Sequence, residues 1–323
     1  MRAVWCRTNQ RSAGRPATEE VRERRSAESA DLFSGLRMPR TATFGRVTVG
    51  GRTFLVVAGP CSIESRAQLL RIAREVHAAG ATALRGGVFK MRADPRSFQG
   101  LGADALPLVD EAKQETGLPF VAEVTSPDQI AVLAEHVDML QVGSRNMHNT
   151  PLLKELGRLR KPILLKRGLA AQVKEWLLAA EYIMQGGNEN IVLCERGIRT
   201  FSDETRNTLD LAGAVWARQR SGLPVIADPS HGTGRRQLIG PMCLAAAAAG
   251  LDGIMLEVHH DPDCALSDGF QSLTPGHLAD IVATLEPILR GVGRELGAAA
   301  PVLSAVAGTP GAAEPGARKG LHP

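Results

Sequence analysis

The feature that most constrains the fold is a strand–loop–helix unit that repeats eight times along the chain. Short apolar runs typical of buried strands recur at 53–58, 82–85, 119–123, 138–142, 162–166, 191–194, 223–227 and 253–257. Amphipathic or alanine-rich stretches that predict helices lie between them, for example at 66–79, 103–115, 129–135, 173–185 and 239–249. Eight such units within about 240 residues predict an α/β protein with a (β/α)₈ (TIM) barrel. A doubly wound open sheet is the alternative, but no Gly-x-Gly-x-x-Gly motif follows the first strand.

The predicted barrel occupies residues 41–296 and is preceded by a short β-hairpin. Residues 43–57, with a turn at Gly50-Gly51, predict this hairpin, which leads into the first strand. Residues 1–40 are polar and lack a periodic apolar face, and residues 297–323 are an Ala/Gly/Pro-rich tail. We therefore expect a disordered extension at each end. The leading 40 residues also offer neither a secretory signal nor enough apolar sequence for a separate regulatory domain.

Composition is that of an ordinary globular protein and argues against several functional classes. Hydrophobic residues make up 44% of the chain, and no apolar run approaches the ~18 residues that cross a membrane. The five cysteines are scattered and show no Cys-x-x-Cys spacing, which is typical of a reducing compartment and predicts a cytoplasmic protein. The net charge is only +4 and aromatic residues only 4%, which argues against a surface that stacks nucleic-acid bases.

Four side chains of metal-ligand type lie at or beyond the ends of predicted strands. Cys61, His231 and Glu257 each follow a short apolar run, and Asp268 lies in a later Ser-Asp-Gly. Taken singly, such residues have simpler explanations: a buried Cys is often only a small apolar residue, and Asp228, which begins the Asp-Pro-Ser-His segment that ends at His231, could be part of a turn. The carboxyl ends of the strands meet at one face of a parallel barrel, so we expect the four to converge. Their mixed sulfur, nitrogen and oxygen atoms suit one divalent transition-metal cation (Mn, Fe, Co or Zn) rather than magnesium or calcium.

Charged side chains also follow five consecutive predicted strands. Those that we single out are Arg85, Lys90, Arg92, Glu123, Arg145, Lys166 and Arg196. Arg binds phosphate or carboxylate through a two-pronged fork, and Lys supplies a compact charge. Ordinary surface charge explains a single Arg, but it explains poorly a series of cations that follow buried strands. The pattern predicts a site for small polyanionic ligands, which would relieve the mutual repulsion.

These segments together resemble the 3-deoxy-7-phosphoheptulonate (DAHP) synthase family in its short bacterial type I form. The resemblance covers roughly residues 43–290 and rests on ordered blocks: GPCSIES, LRGGVFK, SFQGLG, QVGSRNM, LLKRG, CERGIRTF, TRNTLDL, DPSHGTGRR, LEVHHDP and ALSDG. The sister 3-deoxy-octulosonate 8-phosphate synthase family shares the GPC, ERG, EVH and SDG blocks. It lacks the SFQGLG, SRNM and SHGTGRR motifs, so the first family is the closer match.

The resemblance implies a transferase that condenses phosphoenolpyruvate with erythrose 4-phosphate, the first step of the shikimate pathway to aromatic amino acids. It assigns one divalent metal to Cys61, His231, Glu257 and Asp268. It assigns phosphoenolpyruvate to Arg85, Lys90, Arg145, Lys166 and Arg196. It also implies a homo-oligomer, a dimer or a tetramer, and any feedback control would come from a partner such as a chorismate mutase.

Three further roles belong to the same implied mechanism. Glu123 would hold the attacking water, and Arg92 would bind the phosphate of the acceptor sugar. Lys90 is our candidate for proton transfer near the reacting centre, because nearby cations can lower its pKa. The implied catalytic residues are therefore Lys90, Cys61, His231 and Glu123.

One loop departs from the family pattern and leaves the acceptor open. The family normally has Lys-Pro-Arg-Thr and then Ser-Pro-Tyr, where this chain has Lys90-Met91-Arg92-Ala93 and then Asp94-Pro95-Arg96. Ala93 has no hydroxyl to donate to a phosphate, a loss of about 1–2 kcal/mol, and Met91 frees a loop that proline would stiffen. Two alternatives follow: the same chemistry on a different aldose phosphate, or a non-catalytic paralogue that serves as a regulatory partner. Nucleic-acid binding through the N-terminus is not favoured, because its arginines are interleaved with glutamates.

Overall fold

A computed structural model describes residues 37–92 and 94–297. The two predicted terminal extensions therefore lie outside the described residues, apart from 37–40 and 297, and their disorder stays a prediction. Ala93 also lies outside them. Residues 37–40 run beside the end of a helix, where the Arg40 amide donates a hydrogen bond of 2.7 Å to the Gly222 carbonyl.

Eight parallel strands close into a barrel. They are β3 (Thr53–Gly59), β4 (Ala83–Arg85), β5 (Phe120–Val124), β6 (Met139–Val142), β7 (Ile163–Lys166), β8 (Ile191–Glu195), β9 (Val225–Ala227) and β10 (Gly253–Glu257). Each strand pairs with the next along the chain, and β10 pairs in parallel with β3, which places Gly253 opposite Leu55. This closure confirms the predicted (β/α)₈ barrel and rules out the doubly wound sheet. All eight strands lie within two residues of their predicted positions.

A hairpin covers the end of the barrel at which the strands begin. Strand β1 (Ala42–Phe44) pairs in an antiparallel fashion with β2 (Val47–Val49). The hairpin is confirmed, but its predicted turn at Gly50-Gly51 is wrong. The chain reverses at Gly45, where φ is +53° and the backbone lies against Pro119, just before β5. Gly50 and Gly51 instead belong to the link into β3, which pairs only within the barrel sheet.

Helices and short 3₁₀ turns connect the strands and cover the outside of the barrel. The helices are α1 (Arg66–Ala78), α2 (Leu106–Thr116), α3 (Ile130–His136), α4 (Thr150–Gly157), α5 (Val173–Met184), α6 (Leu211–Ser221), α7 (Pro229–Thr233), α8 (Arg236–Ala248) and α9 (Pro275–Gly291). A short strand β11 (Glu295–Leu296) pairs with the start of β3. Helix α8 begins three residues before its predicted start, and the predicted helix at 103–115 begins as a 3₁₀ turn.

Local sequence sets the ends of these helices, and their apolar faces form the larger core. Ser65 caps α1 by accepting a hydrogen bond from the Gln68 amide. Gly117 and Gly222 end α2 and α6 in the left-handed conformation that glycine adopts without strain. The buried helix residues pack against outward-facing strand residues, whereas a smaller cluster fills the barrel interior. Within 37–92 and 94–297, no helix has the length and apolar character needed to cross a membrane.

Candidate active site

Three of the four predicted metal ligands converge at the carboxyl ends of the strands. Cys61 follows β3, Glu257 is the last residue of β10, and Asp268 lies in the loop after β10. Their ligand atoms all lie within 4.8 Å of one another, and Cys61 Sγ is 3.1 Å from Asp268 Oδ2. His231 is not a member of this group, but its Nε2 lies 3.2 Å from Glu257 Oε1. The imidazole therefore borders the cluster through Glu257.

The chemistry of this cluster fits a divalent cation. Burial raises the pKa of the Cys61 thiol to about 12, and the Glu257 and Asp268 carboxylates act in the same direction. A divalent ion would reverse that effect, since a metal-bound thiol is deprotonated. One thiol, one imidazole and two carboxylates are a donor set that borderline transition metals accept. Cys61, Glu257 and Asp268, with His231 beside them, could hold such an ion.

Glu257 lies at the centre of the contacts in the cluster. Its Oε1 accepts a hydrogen bond of 3.1 Å from Arg85, and its Oε2 accepts one of 2.5 Å from Gln271 Nε2. Burial alone would raise the pKa of this carboxyl. His231, Arg85 and Lys90 nevertheless hold its pKa far below the usual range. Glu257 is therefore an ionised carboxylate, as a metal ligand must be.

Asp228 orients His231 and pairs with Lys166, although the sequence suggested no role for it beyond a turn. As the N-cap of α7, it accepts a hydrogen bond of 3.0 Å from the His231 amide, and its Oδ2 lies 2.7 Å from His231 Nδ1. The same Oδ2 accepts a hydrogen bond of 2.5 Å from Lys166 Nζ. Burial would raise the pKa of Asp228, but His231 and Lys166 hold it well below its usual range. The signal that could have identified Asp228 is its position as a helix N-cap three residues before His231. A carboxylate at that position fixes the orientation of the His231 ring.

A cavity of about 370 Å³ opens beside the cluster and is rich in cations. All seven residues that the sequence singled out for anion or water binding line it: Arg85, Lys90, Arg92, Glu123, Arg145, Lys166 and Arg196. His231 and Asp268 also line it, whereas Cys61 and Glu257 are buried behind it. Arg206, in the TRNTLDL block, adds a further cation that the sequence had not assigned. The excess of cations over carboxylates suits a ligand that carries several negative charges.

Arg196 is a buried cation with no carboxylate partner among the described residues. The residue is 6% exposed, and its NH1 donates only a long hydrogen bond of 3.4 Å to the Gly197 carbonyl. No carboxylate oxygen in the described part of the chain lies within 4.0 Å of it. Burial lowers the pKa of this guanidinium, Asp228 opposes that effect and Arg206 adds to it. A buried charge without a partner is costly, so this position favours an anionic ligand.

Glu123 is held at the cavity wall by a hydrogen bond from Gln141 and has room there because Gly143 has no side chain. Gln141 Nε2 donates a hydrogen bond of 3.2 Å to Glu123 Oε2. A Cβ atom at Gly143 would lie only 2.0 Å from Glu123 Oε1, so glycine is required there for the carboxylate to keep its place. The QVGSRN block thus positions an acidic group among the cations.

The expected lowering of the Lys90 pKa is wrong. Burial alone would lower it, and Arg85 acts in the same direction. The Cys61 and Glu257 side chains outweigh both, with help from Glu123, and raise the pKa above its ordinary value. The sequence showed the cations around Lys90, but it did not show that Cys61 and Glu257 act on its pKa more strongly than Arg85 does. Lys90 is therefore a protonated ammonium at neutral pH, which suits a proton donor better than a base.

The loop that departs from the family pattern contacts the loop after β6. Arg145 NH1 donates a hydrogen bond of 2.8 Å to the Met91 carbonyl, and Asn146 Nδ2 lies 3.7 Å from Met91 Sδ. Asp94 forms an ion pair of 2.8 Å with Arg96, so its charge is balanced within the loop. Ala93, on which the predicted loss of a phosphate contact rests, lies outside the described residues.

The closed parallel barrel and its cation-lined cavity over a thiol–carboxylate cluster define an enzyme of the aldolase-type TIM-barrel class that acts on anionic substrates. The chain belongs to the DAHP synthetase I family, whose family model matches residues 31–289. That assignment confirms the family resemblance seen in the sequence.

Individual relatives and solved structures agree with the family. The chain is 44% identical over 249 residues to a phospho-2-dehydro-3-deoxyheptonate aldolase of Thermotoga maritima, which covers 77% of this chain and 74% of the relative. It is 31% identical over 270 residues to a 2-dehydro-3-deoxyphosphooctonate aldolase of Geobacter sulfurreducens, which covers 78% and 98%. The crystal structure of a Thermotoga maritima DAHP synthase superposes with a TM-score of 0.78 at 42% identity, covering 80% of this chain and 76% of that one. A truncated form of the Thermotoga maritima synthase gives a TM-score of 0.75 at 40% identity, covering 80% and 95%.

Proposed function

We propose that this protein is a metal-dependent transferase that condenses phosphoenolpyruvate with erythrose 4-phosphate. The products are 3-deoxy-D-arabino-heptulosonate 7-phosphate and inorganic phosphate, and the reaction opens the shikimate pathway. The observation that carries the proposal is the unpaired, buried Arg196 in a cation-lined cavity beside the Cys61–Glu257–Asp268 cluster. The 44% identity to a phospho-2-dehydro-3-deoxyheptonate aldolase supports the same reaction.

The cations divide between the two substrates. Phosphoenolpyruvate carries a phosphate and a carboxylate, and the residues that would bind it are Arg85, Lys90, Arg145, Lys166 and Arg196. Arg92, on the loop with the departing sequence, would bind the phosphate of the acceptor sugar. The Arg85 and Lys166 charges are already balanced by Glu257 and Asp228. Arg196 is buried and has no carboxylate partner among the described residues, so its charge is available to the donor.

Cys61, His231, Glu257 and Asp268 would hold one divalent cation, which we assign to Mn, Fe, Co or Zn from the donor set. When bound there, such an ion polarises the acceptor aldehyde as a Lewis acid. Asp228 supports the site from behind, because it holds Nδ1 of His231 and leaves Nε2 facing Glu257. Asp228 is thus a positioning residue that touches neither substrate.

The residues of the cavity place the protons that the condensation requires. The C3 atom of phosphoenolpyruvate bonds to the aldehyde carbon, and the aldehyde oxygen takes a proton, for which the ammonium of Lys90 is the candidate donor. A water oxygen then adds to C2 and loses a proton, for which the Glu123 carboxylate is the candidate acceptor. The C2–oxygen bond to the phosphate breaks, and the C2 hydroxyl gives its remaining proton to the departing phosphate. C2 thereby becomes the ketone, and inorganic phosphate leaves. Glu123 suits this role because Gln141 and Gly143 fix its position.

The assembly and setting of the enzyme also belong to the proposal. We assign it to the cytoplasm, since the cysteines described are free thiols and none forms a disulfide within the described residues. We propose a homo-oligomer, a dimer or tetramer, with a chorismate mutase as the candidate regulatory partner. Analytical ultracentrifugation, alone and with a mutase from the same source, tests both statements.

A different aldose phosphate is the second candidate acceptor, because Asp94 lines the cavity on the acceptor side. An assay with phosphoenolpyruvate, Mn²⁺ and a panel of four- and five-carbon aldose phosphates separates the two candidates. We expect the highest kcat/KM with erythrose 4-phosphate, and mass spectrometry should show a seven-carbon sugar acid phosphate. Greater turnover of a five-carbon sugar phosphate would overturn this choice of acceptor. Tight phosphoenolpyruvate binding without turnover of any sugar would favour the non-catalytic paralogue.

A further inference from the structure

Two segments that are distant in sequence lie side by side next to the metal-ligand cluster. One runs from Cys61 to Glu64 after β3, and the other from Leu266 to Asp268 after β10. Three contacts link them in order along their length: Cys61 with Asp268, Ser62 with Ser267, and Glu64 with Leu266. The first contact joins two candidate ligands. The other two join residues that have no part in the chemistry described so far.

The hydroxyls of Ser62 and Ser267 depend on each other. Their oxygens are 2.6 Å apart, and the two residues are 0% and 3% exposed. Neither hydroxyl has another hydrogen-bond partner among the described residues. Each serine directly follows or precedes a candidate ligand, Cys61 on one side and Asp268 on the other. A shift of either segment would break the pair and leave two buried hydroxyls unsatisfied, which opposes the shift.

Glu64 extends the link by one more residue. Its Oε1 accepts a hydrogen bond of 2.9 Å from the Leu266 amide, and its Oε2 lies 3.6 Å from Nε2 of the buried His259. The Asp261 amide donates to Nδ1 of His259, so the ring proton is on Nε2 and faces Glu64. The carboxylate therefore contacts two parts of the loop that follows β10, the Leu266 amide and the His259 imidazole.

Asp268 needs such support because its backbone is strained. Its φ is +49° and its ψ is +30°, and among the residues that the structure describes it is the one non-glycine residue in the left-handed region. Aspartate tolerates this conformation better than most residues, but it is still unfavourable. Such a conformation persists where surrounding contacts hold it, and it often occurs at a functional site. The Ser267 and Leu266 contacts lie immediately before the strained residue.

We propose that Ser62, Ser267 and Glu64 are positioning residues that hold Asp268 against Cys61 and so set the affinity of the cluster for its divalent cation. The inference rests on the metal site of the proposed function. It explains what holds the geometry of that site: hydrogen bonds join the loop after β3 to the loop after β10 beside the ligands. A ligand pair held 3.1 Å apart in advance loses less entropy when the ion binds.

The test is a direct titration of the metal-free protein with Co²⁺ alone, for the wild type, Ser62→Ala, Ser267→Ala and the double variant. The readouts are the dissociation constant, the thiolate-to-cobalt absorption band and the Tm of the metal-free protein. Each single change should weaken Co²⁺ binding about tenfold, as for other groups behind metal ligands, and lower the Tm because one buried hydroxyl loses its partner. The double variant should have a higher Tm than either single variant, because no buried hydroxyl is left without a partner. It should still bind Co²⁺ about tenfold more weakly than the wild type.

This divergence between stability and affinity separates positioning from a merely structural role. Ser221→Ala is the matched control, since Ser221 is also buried and donates to the Ala217 carbonyl at the far end of α6. That variant should lose Tm and bind Co²⁺ as the wild type does. Two substitutions of Glu64 give an independent test that does not depend on the folding of the serine variants. Glu64→Gln keeps an acceptor for the Leu266 amide and should keep Co²⁺ affinity, whereas Glu64→Ala should lose about tenfold.

Dissociation constants within about twofold of the wild type for both the serine double variant and Glu64→Ala would overturn the inference. In that case the metal site of the proposed function would stand. If the wild type itself bound no Co²⁺, the metal site would fail and the inference with it.

Discussion

At the scale of single residues, charge pairing separates the cations of the cavity into two groups. Arg85 and Lys166 each contact a buried carboxylate, at 3.1 Å and 2.5 Å. Arg196 is equally buried and has no such contact among the described residues. The first two therefore keep the site folded and oriented, whereas Arg196 has its charge available for a ligand.

Replacing Arg196 with Ala should weaken phosphoenolpyruvate binding by about 2–4 kcal/mol, the loss expected when one partner of a buried charged pair is removed. The Tm of the ligand-free protein should not fall in proportion, because the guanidinium pairs with no carboxylate in the described part of the chain. Calorimetric titration and thermal melting measure the two quantities. Arg92→Ala is the matched control and should raise the KM for the acceptor while leaving the donor dissociation constant nearly unchanged. A normal phosphoenolpyruvate dissociation constant in Arg196→Ala contradicts the assignment.

Metal binding should release about one proton per site at neutral pH, because the raised pKa of Cys61, about 12, keeps the thiol protonated until the ion arrives. Burial lowers the pKa of His231 and the pKa of Glu257 is far below its usual range, so neither should release a proton. Metal affinity should therefore rise with pH. Calorimetry in buffers of different ionisation enthalpy counts the proton. Cys61→Ala should bind metal weakly and release none, and a wild type that releases none would show that Cys61 is not a ligand.

At the scale of elements, the short helix α7 determines how His231 faces the cluster. It begins directly after β9, and its N-cap residue Asp228 accepts hydrogen bonds from the His231 backbone and contacts the His231 ring. The end of β9, the N-cap residue and one helical turn together thus fix the orientation of the His231 ring. The same carboxylate ties α7 to β7 through Lys166.

Asp228→Asn should therefore weaken metal binding by about 10- to 100-fold and destabilise the fold by about 3–5 kcal/mol, since Lys166 loses its buried counter-ion. Metal titration and denaturant unfolding measure the two effects. Asp210→Asn is the matched control, because Asp210 is also an N-cap and pairs with a buried cation, Arg167, away from the cluster. It should lose stability and keep metal affinity. Equal metal affinity in both variants would remove Asp228 from the site.

The acceptor loop makes a prediction of its own at this scale. Met91→Pro with Ala93→Thr should lower the KM for erythrose 4-phosphate and leave the phosphoenolpyruvate KM unchanged, through a stiffer loop and an added hydroxyl donor. Each single variant separates the two contributions in steady-state kinetics. If the loop serves another sugar phosphate, the double change should instead reduce turnover of that acceptor, and the wild type should be nearly inactive with erythrose 4-phosphate.

Local patterns explain which elements could be predicted and which could not. Apolar runs located every barrel strand because burial on both faces leaves a local signature. The hairpin turn was misplaced because two adjacent glycines are a strong local signal, while packing against Pro119 selects Gly45. The cations could be assigned to strand ends because each one ends or follows an apolar run that predicts a strand. It could not show that Asp228 pairs with Lys166, because that contact joins residues 62 positions apart.

At the scale of the whole molecule, closure of the barrel brings together groups that are far apart in the chain. Cys61 and Asp268 are 207 positions apart, yet their side chains are in contact. The contact exists because β3 pairs with β10 and closes the sheet. The sequence placed the two residues at one face, with Glu257 and His231, only through the assumption of a barrel, and the family resemblance assigned the metal to the same four residues. Their distances, and the order of the links beside them, required the structure.

The central claim is that this cluster holds a metal on which condensation of phosphoenolpyruvate with erythrose 4-phosphate depends. The most direct measurement is phosphoenolpyruvate consumption with erythrose 4-phosphate by chelator-treated enzyme, before and after Mn²⁺ or Co²⁺ is added. We predict that the metal-free wild type is inactive, that either ion restores turnover, and that Cys61→Ala stays inactive at the same metal concentration. Undiminished turnover by metal-free enzyme, or full recovery in Cys61→Ala, would contradict the account.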